Sequence, residues 1–255
     1  MIYFLSSIPR SGSTLLASLL EQREDTYVSP TSTFGSLVRS FLAHPVIPEP
    51  MVGVMGMRFN AKYADRKEPY VFDKGRMWSD PKIMDAVKKF QGGIKIVATV
   101  RPMVECISSF YRVEKTDMSI ERWMEKSATF KGLIQTCNDL KEGYELHPEN
   151  FCLVEYDDLC ENTQYELNRI SDFIGSPVAK YNPAIQQVED NNRDNMWGID
   201  GLHTLKATIE KDTTDPRTVL GLDIYNKYTG LDFWTDTPKY QPWAIGETTM
   251  QFIEA

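Results

Sequence analysis

"IYFLSSIPRSGSTLLASLLEQ", residues 2–22, decides how the rest of the chain is read. Residues 2–6 are apolar and aromatic enough for a short buried strand. Residues 13–22 place Leu15, Leu16, Leu19 and Leu20 on one face of a helix. Between them lies Ile8-Pro9-Arg10-Ser11-Gly12-Ser13-Thr14, a turn of small and hydroxyl-bearing residues around one arginine. The first N–H groups of the helix point into that turn, and the helix dipole adds partial positive charge there. Gly12 lets backbone N–H groups come close to a ligand. Ser11, Ser13 and Thr14 offer hydroxyl donors, and Arg10 offers a planar fork matched to phosphate oxygens. These features describe a phosphate cradle. It is not a Walker A loop, which carries a lysine directly after its last glycine; Ser13 stands there instead.

Working outward, the same strand–turn–helix unit recurs. "TYVSP", 26–30, and "YVFDK", 70–74, read as strands, and "TFGSLVRSFLA", 33–43, has helical spacing until "HPVIPEP" breaks it. "DPKIMDAVKKF", 80–90, is a helix with Pro81 at its start. "IKIVATVR", 94–101, is the clearest buried strand, followed by Val104, Ile107 and Tyr111 at helical spacing. Residues 118–146 hold one or two amphipathic helices, "FCLVEY", 151–156, is a strand, and "NTQYELNRISDFIG" is a helix closed by Gly175. Strands alternating with helices imply an α/β fold with a mainly parallel central sheet covered on both faces. In such folds ligands bind outside the carboxyl ends of the strands. One domain over 1–255 is expected, with 1–175 as the α/β core. From 176 to 255, rich in Asn, Asp, Thr and Pro, a peripheral cap and loops are expected.

Composition narrows the partners. Over 255 residues the formal net charge is −8, which is unsuited to wrapping nucleic acid but compatible with a local basic pocket. The four cysteines form no CxxC pair and have no zinc-ligand spacing, so buried reduced thiols and no metal site are expected. With no apolar run long enough to span a bilayer and no signal-peptide pattern, the expectation is a cytoplasmic protein without a membrane partner.

A second motif, "VRPMVECISSFYR", puts Arg101 at the end of the best strand and Ser109 eight residues later on the following helix, a little over two turns away. With this pair in view, "IPRSGSTLLASLL" resembles the 5′-phosphosulfate-binding loop of the sulfotransferases that use 3′-phosphoadenosine-5′-phosphosulfate (PAPS). It is most similar to the loop of tyrosylprotein sulfotransferases and of bacterial sulfotransferase-like proteins. "VRPMVECISSFY" resembles their 3′-phosphate motif. "VEYDDLCENTQYELNRISDFIGSP" resembles their strand–acidic turn–helix segment, and "FDKGRMW" resembles a strand-end segment of bacterial members. The resemblance covers roughly residues 1–175 and implies a P-loop-kinase-like three-layer fold. It also implies that Arg10, Ser11, Gly12, Ser13 and Thr14 hold the 5′-phosphosulfate of PAPS, and that Arg101 and Ser109 hold its 3′-phosphate.

The implied reaction moves a sulfuryl group from PAPS to an acceptor hydroxyl or amine, releasing 3′,5′-ADP (PAP). Negative charge grows on the leaving phosphate, so cations and N–H donors must meet it; Arg10 and the Ser13/Thr14 helix end are placed for this. Lys74, at a strand end, is a candidate to neutralise the bridging oxygen, and Arg76 and Trp78 are candidates for the same mouth. The acceptor also needs a general base. Neither the histidine of cytosolic sulfotransferases nor the glutamate of the tyrosylprotein enzymes has a match, since "YVSPTSTFGSL" offers only hydroxyls. Asp73 and His203 are the candidates, although strand alternation turns Asp73 away from Lys74; His44 and His147 read as loop residues. The Arg-Lys-Gly nucleotide-binding segment of the cytosolic enzymes is absent. That leaves Lys206 and Arg217 as substitutes and Trp78 or Trp197 to stack on adenine. Residues 29–65 and 176–215 are expected to shape the pocket of an acceptor whose identity is not legible. Two other readings stay open: a P-loop-like nucleotide kinase or phosphotransferase, and a nucleotide-binding protein without catalysis.

Overall fold

The computed structural model describes residues 1–43, 49–185, 199 and 202–235. Five strands, β1 (Ile2–Ser7), β2 (Thr26–Val28), β3 (Tyr70–Lys74), β4 (Ile96–Val100) and β5 (Phe151–Glu155), form one sheet in the order β2-β3-β1-β4-β5, every pair parallel. Successive strand residues face opposite layers, so the sheet feeds two apolar cores. Phe4, Val71, Ile96, Ala98, Val100 and Phe151 face one core. Tyr3, Leu5, Phe72, Val97, Cys152 and Val154 face the other.

The second core is closed by helix α1 (Ser13–Leu20) and by α8 (Tyr156–Glu161) and α9 (Thr163–Ile174), through Leu16, Leu19, Leu159, Leu167 and Ile170. The first is covered by α2 (Phe34–Leu42), α3 (Glu49–Lys62), α4 (Pro81–Gln91), α5 (Met103–Glu114), α6 (Ile120–Lys126) and α7 (Ala128–Leu146). Helix, sheet and helix make three layers, the α/β architecture expected from the alternation of elements.

Within residues 1–175, helices α3 and α8 were not legible in the sequence. Helix α3 carries Gly53, Gly56 and scattered methionines rather than one apolar stripe, and a Cβ on Gly56 would lie 2.5 Å from Phe90 Cβ of α4. Its pattern therefore serves close helix–helix approach, not amphipathic helicity. Helix α8 makes a turn of helix out of the expected acidic turn. The segment 118–146 resolves into two helices, α6 and α7, because Ser127 both ends the first and caps the second, accepting from the N–H groups of Thr129 and Phe130.

Among the described residues beyond Gly175 regular structure is sparse: one antiparallel bridge, Ala184 to Thr208, and helices α10 (Pro216–Leu220) and α11 (Leu222–Tyr228). Leu202, Leu220 and Trp234 are nonetheless buried in the first core, and Ile185 in the second. Among the described residues no helix is long and apolar enough to cross a membrane.

Candidate active site

Because β1 sits between β3 and β4, the three carboxyl ends that carry Arg10, Lys74 and Arg101 are neighbours. They open into one cavity of ≈390 Å³, within the range of small-ligand sites.

The β1–α1 loop is held in a strained shape. Arg10 has φ 72 and Gly12 has φ 91, both in the left-handed region. A non-glycine residue there costs on the order of 1–3 kcal/mol and persists only where its surroundings enforce it. Gly12 also has no room for a side chain, because a Cβ would lie 2.8 Å from Tyr156 Cδ2. It begins α1 without any side-chain cap, so the first N–H groups of the helix remain directed at the cavity.

Ser11, expected in the phosphate cradle, is instead a buried anchor. Its hydroxyl lies 2.6 Å from Ile8 O, 2.8 Å from Thr99 O and 2.7 Å from Thr99 Oγ1, and its N–H donates to Ile8 O at 3.2 Å. It is fully buried and pins the loop to β4 rather than lining the cavity. Ser13 and Thr14 do line it. A lysine reaches the loop from the neighbouring strand of the sheet, β3: Lys74 Nζ donates to Thr14 Oγ1 at 3.4 Å.

The second motif meets the first directly. Arg10 Nε donates to Ser109 Oγ at 3.1 Å, and Arg101 Nη1 donates to Arg10 O at 3.3 Å. Arg101 is 4% exposed. It pairs with Glu105 (Nε–Oε2 2.8 Å) and Asp212 (Nη2–Oδ2 3.4 Å), and its guanidinium carbon lies 4.3 Å from the centre of the Tyr156 ring. Burial opposes its charge, but Glu105 outweighs that and raises its pKa. For Arg10 the balance goes the other way: burial first, then the nearby charges of Arg101 and Arg112, lowers its pKa. Arg76, also lining the cavity, is lowered by burial and by Arg10. Cations crowded like this in a partly desolvated cleft form a site for an anion.

The two base candidates separate. His203 lines the cavity and is half-buried. Asp73 does not line it. Strand alternation turns it to the opposite face of β3, where it is fully buried. There it accepts from Lys62 Nζ at 2.8 Å, from Trp78 Nε1 at 2.9 Å and from the Tyr63 hydroxyl. With both oxygens committed beneath the sheet, Asp73 has no path to an acceptor, and the expectation that it acts as base is set aside. The same bond puts Trp78 in the core, away from any adenine.

Lys206 lines the cavity, whereas Arg217 lies outside it, paired with Asp215 on α10. His147 ends α7 and faces Asp85 and Glu149. His44 and Trp197 fall outside the described residues. Among the cavity residues that the sequence reading did not single out are Arg112, Tyr156 and Asp212. The only local hint was Arg112, three positions past Ser109 on α5. All four cysteines are free, with Cys106, Cys137 and Cys152 buried. Among the described residues no group of three or more His, Cys, Asp or Glu is arranged to hold a metal.

Residues 3–199 match the family model described as the Sulfotransferase domain. No curated protein matches the chain in sequence. Among solved structures, a sulfotransferase from Alicyclobacillus acidocaldarius aligns at TM-score 0.55 and 13% identity, over 78% of this chain and 90% of the other. The sulfotransferase domain of the Synechococcus PCC 7002 olefin synthase aligns at 0.52 and 19%, over 82% and 90%. That of the curacin biosynthetic pathway aligns at 0.51 and 18%, over 70% and 75%. These likenesses concern the fold.

Proposed function

From the premise that the chain belongs to the sulfotransferase family and is an enzyme of sulfuryl transfer, we propose that its donor is PAPS, bound across the ends of β1, β3 and β4. The observation that carries this is the direct contact between the two motifs. Arg10 reaches Ser109 at 3.1 Å and Arg101 reaches the Arg10 carbonyl at 3.3 Å, both at the rim of one cavity. A single ligand with two separated anionic groups fits that arrangement, and Gly12 leaves the backbone open beneath it.

In this reading Gly12, Ser13 and Thr14 present N–H and hydroxyl donors to the 5′-phosphosulfate, while Arg10 and Lys74 supply positive charge. Arg101 and Ser109 take the 3′-phosphate. PAPS supplies the activated sulfuryl group. The chain's own part is to stabilise charge on the leaving phosphate without reorganising as it forms. Lys74, held against Thr14 at 3.4 Å, stands beside the helix end where that charge develops. In the same reading His203 takes the acceptor's proton, which its position on the cavity wall supports. The acceptor is a hydroxyl or an amine. A reducing, cytoplasmic setting suits the four free thiols.

Calorimetric titration with PAP and with ATP and Mg²⁺ tests the donor: PAP should bind without metal. Tight ATP binding that needs Mg²⁺, with none for PAP, would make the protein a phosphotransferase. Arg101→Ala should weaken PAP by about 1.5–3 kcal/mol, the range of a hydrogen bond to a charged group. Unchanged affinity would show that the 3′-phosphate lies elsewhere.

A further inference from the structure

The segment that roofs the cavity is bonded to the arginines of both motifs. Arg10 Nη1 donates to Leu202 O at 2.5 Å. Asp212 Oδ2 lies 2.5 Å from Arg112 Nη2 and 3.4 Å from Arg101 Nη2. Leu202 and Asp212 are the two ends of one stretch of cavity wall. One segment thus brings a carbonyl to the first motif and a carboxylate to the second.

Asp212 is held in place from several sides. Its Oδ1 accepts from the Thr214 N–H at 3.2 Å and from the Thr214 hydroxyl at 2.8 Å. Its N–H donates to Tyr156 Oη at 3.1 Å, and the Tyr156 ring lies against Arg101. The carboxylate therefore sits between two guanidinium groups, one from the end of β4 and one from the last turn of α5. A phosphate monoester brings nearly twice the charge of a carboxylate and a third oxygen to the same donors. Only one of the two anions can make the close contacts at a time.

We propose that Asp212 is a built-in stand-in for the donor's 3′-phosphate: it neutralises Arg101 and Arg112, ties the 202–215 segment over the cavity, and is displaced when the 3′-phosphate binds. The inference rests on the assignment of Arg101 and Ser109 to that phosphate. It makes donor binding an exchange of one anion for another, and it gives the spent nucleotide a competitor that helps it leave. Asp212 then sets the enzyme's affinity for 3′-phosphorylated nucleotides without touching the transferred group.

The test compares the full-length protein with Asp212→Asn by calorimetric titration with PAP and, separately, with 5′-AMP, which lacks the 3′-phosphate. Asparagine keeps an acceptor for both Thr214 donors but removes the charge. The variant should bind PAP about three- to tenfold tighter, the scale of one partly exposed ion pair, with 5′-AMP affinity unchanged. A PAP affinity equal to or below wild type would overturn the inference, since Asp212 would then be orienting the arginines rather than competing for them. An equal gain for 5′-AMP would overturn it too, because it would mark a general loosening of the roof. Should Asp212→Asn fail to fold, Thr214→Val loosens the hold on Oδ1 and should shift PAP affinity in the same direction by less; no shift counts against the inference. Wild type that binds no PAP at all removes the donor assignment first, and this inference with it.

Discussion

The floor of the cavity and its roof are built on different physical terms. The floor is made of strand ends and the helix that follows β4: Lys74, Arg101 and, on α5, Ser109 are each at most 5% exposed, and Ser11 is fully buried. Sheet hydrogen bonds on both sides of β1 and the packed helices behind them hold these residues. The roof, residues 202–212, contains one β-bridge residue, Thr208, and exposes Thr204, Lys206 and Glu210. It is tied down at separate points: Leu202 in the first core, Leu205 and Ile209 against the second, Lys211 on Asp157 and Glu161, and Asp212 on Arg101 and Arg112. A site that must stabilise forming charge needs donors that do not reorganise, whereas a site that must admit and release a nucleotide needs one wall whose bonds can be exchanged. Substitutions in the floor should therefore cost stability, chemistry or donor binding outright, and those in the roof should tune affinity.

That contrast can be broken at several points. The largest effect is expected beneath the floor. Asp73→Ala strips Lys62, Tyr63 and Trp78 of their shared acceptor, and each of the two buried donors left unpaired, the Tyr63 hydroxyl and the Trp78 N–H, costs about 1–3 kcal/mol of stability. Denaturant unfolding should show that loss while kcat of the folded fraction is largely kept. A fall in kcat of about 10²-fold or more with stability intact would instead restore Asp73 as the general base. Next comes Lys74→Ala, for which kcat should drop about 10²–10³-fold, the usual cost of one charge-stabilising donor, with PAP affinity little changed. A loss confined to affinity would move Lys74 from the chemistry to binding.

The smallest effect lies in the roof. Burial disfavours the ionised form of Asp212, but the Thr214 hydroxyl and N–H and Arg112 outweigh it and hold its pKa down at about 2. A carboxylate depressed in the folded state adds stability above its unfolded pKa and loses it as pH falls through the folded value. The roof should therefore stay anchored at neutral pH and loosen between about pH 4 and pH 2. Pepsin, active in that window, should cut 202–215 faster as the pH drops. The pH dependence should be weaker in Asp212→Asn, and identical profiles would show that Asp212 does not hold the roof.

Most of the sheet could be read from the chain because each strand–turn–helix unit writes its own period and its own punctuation. Pro81 after Asp80, Gly175 after Ile174, and the alternating apolar run of 94–100 are all local signals. Arg10, Lys74 and Arg101 were identified for the same reason, since each stands where a strand stops. Ser11 was misplaced because a serine in a turn looks the same whether its hydroxyl faces a ligand or the neighbouring strand; only the approach of Thr99 turns it inward. Asp212 left no trace, since it acts through a partner 111 residues away.

The sequence by itself determined which residues lie at strand ends, that the sheet is parallel and covered on both faces, and that positive charge gathers at one edge. Those properties follow from periodicity and turn chemistry within a dozen residues. The tertiary structure alone decided that β1 lies between β3 and β4, that Lys74 meets Thr14 while Asp73 faces the opposite core, and that a carboxylate from the roof rests on Arg101. Each depends on strand order and on contacts between distant parts of the chain, which no local pattern encodes.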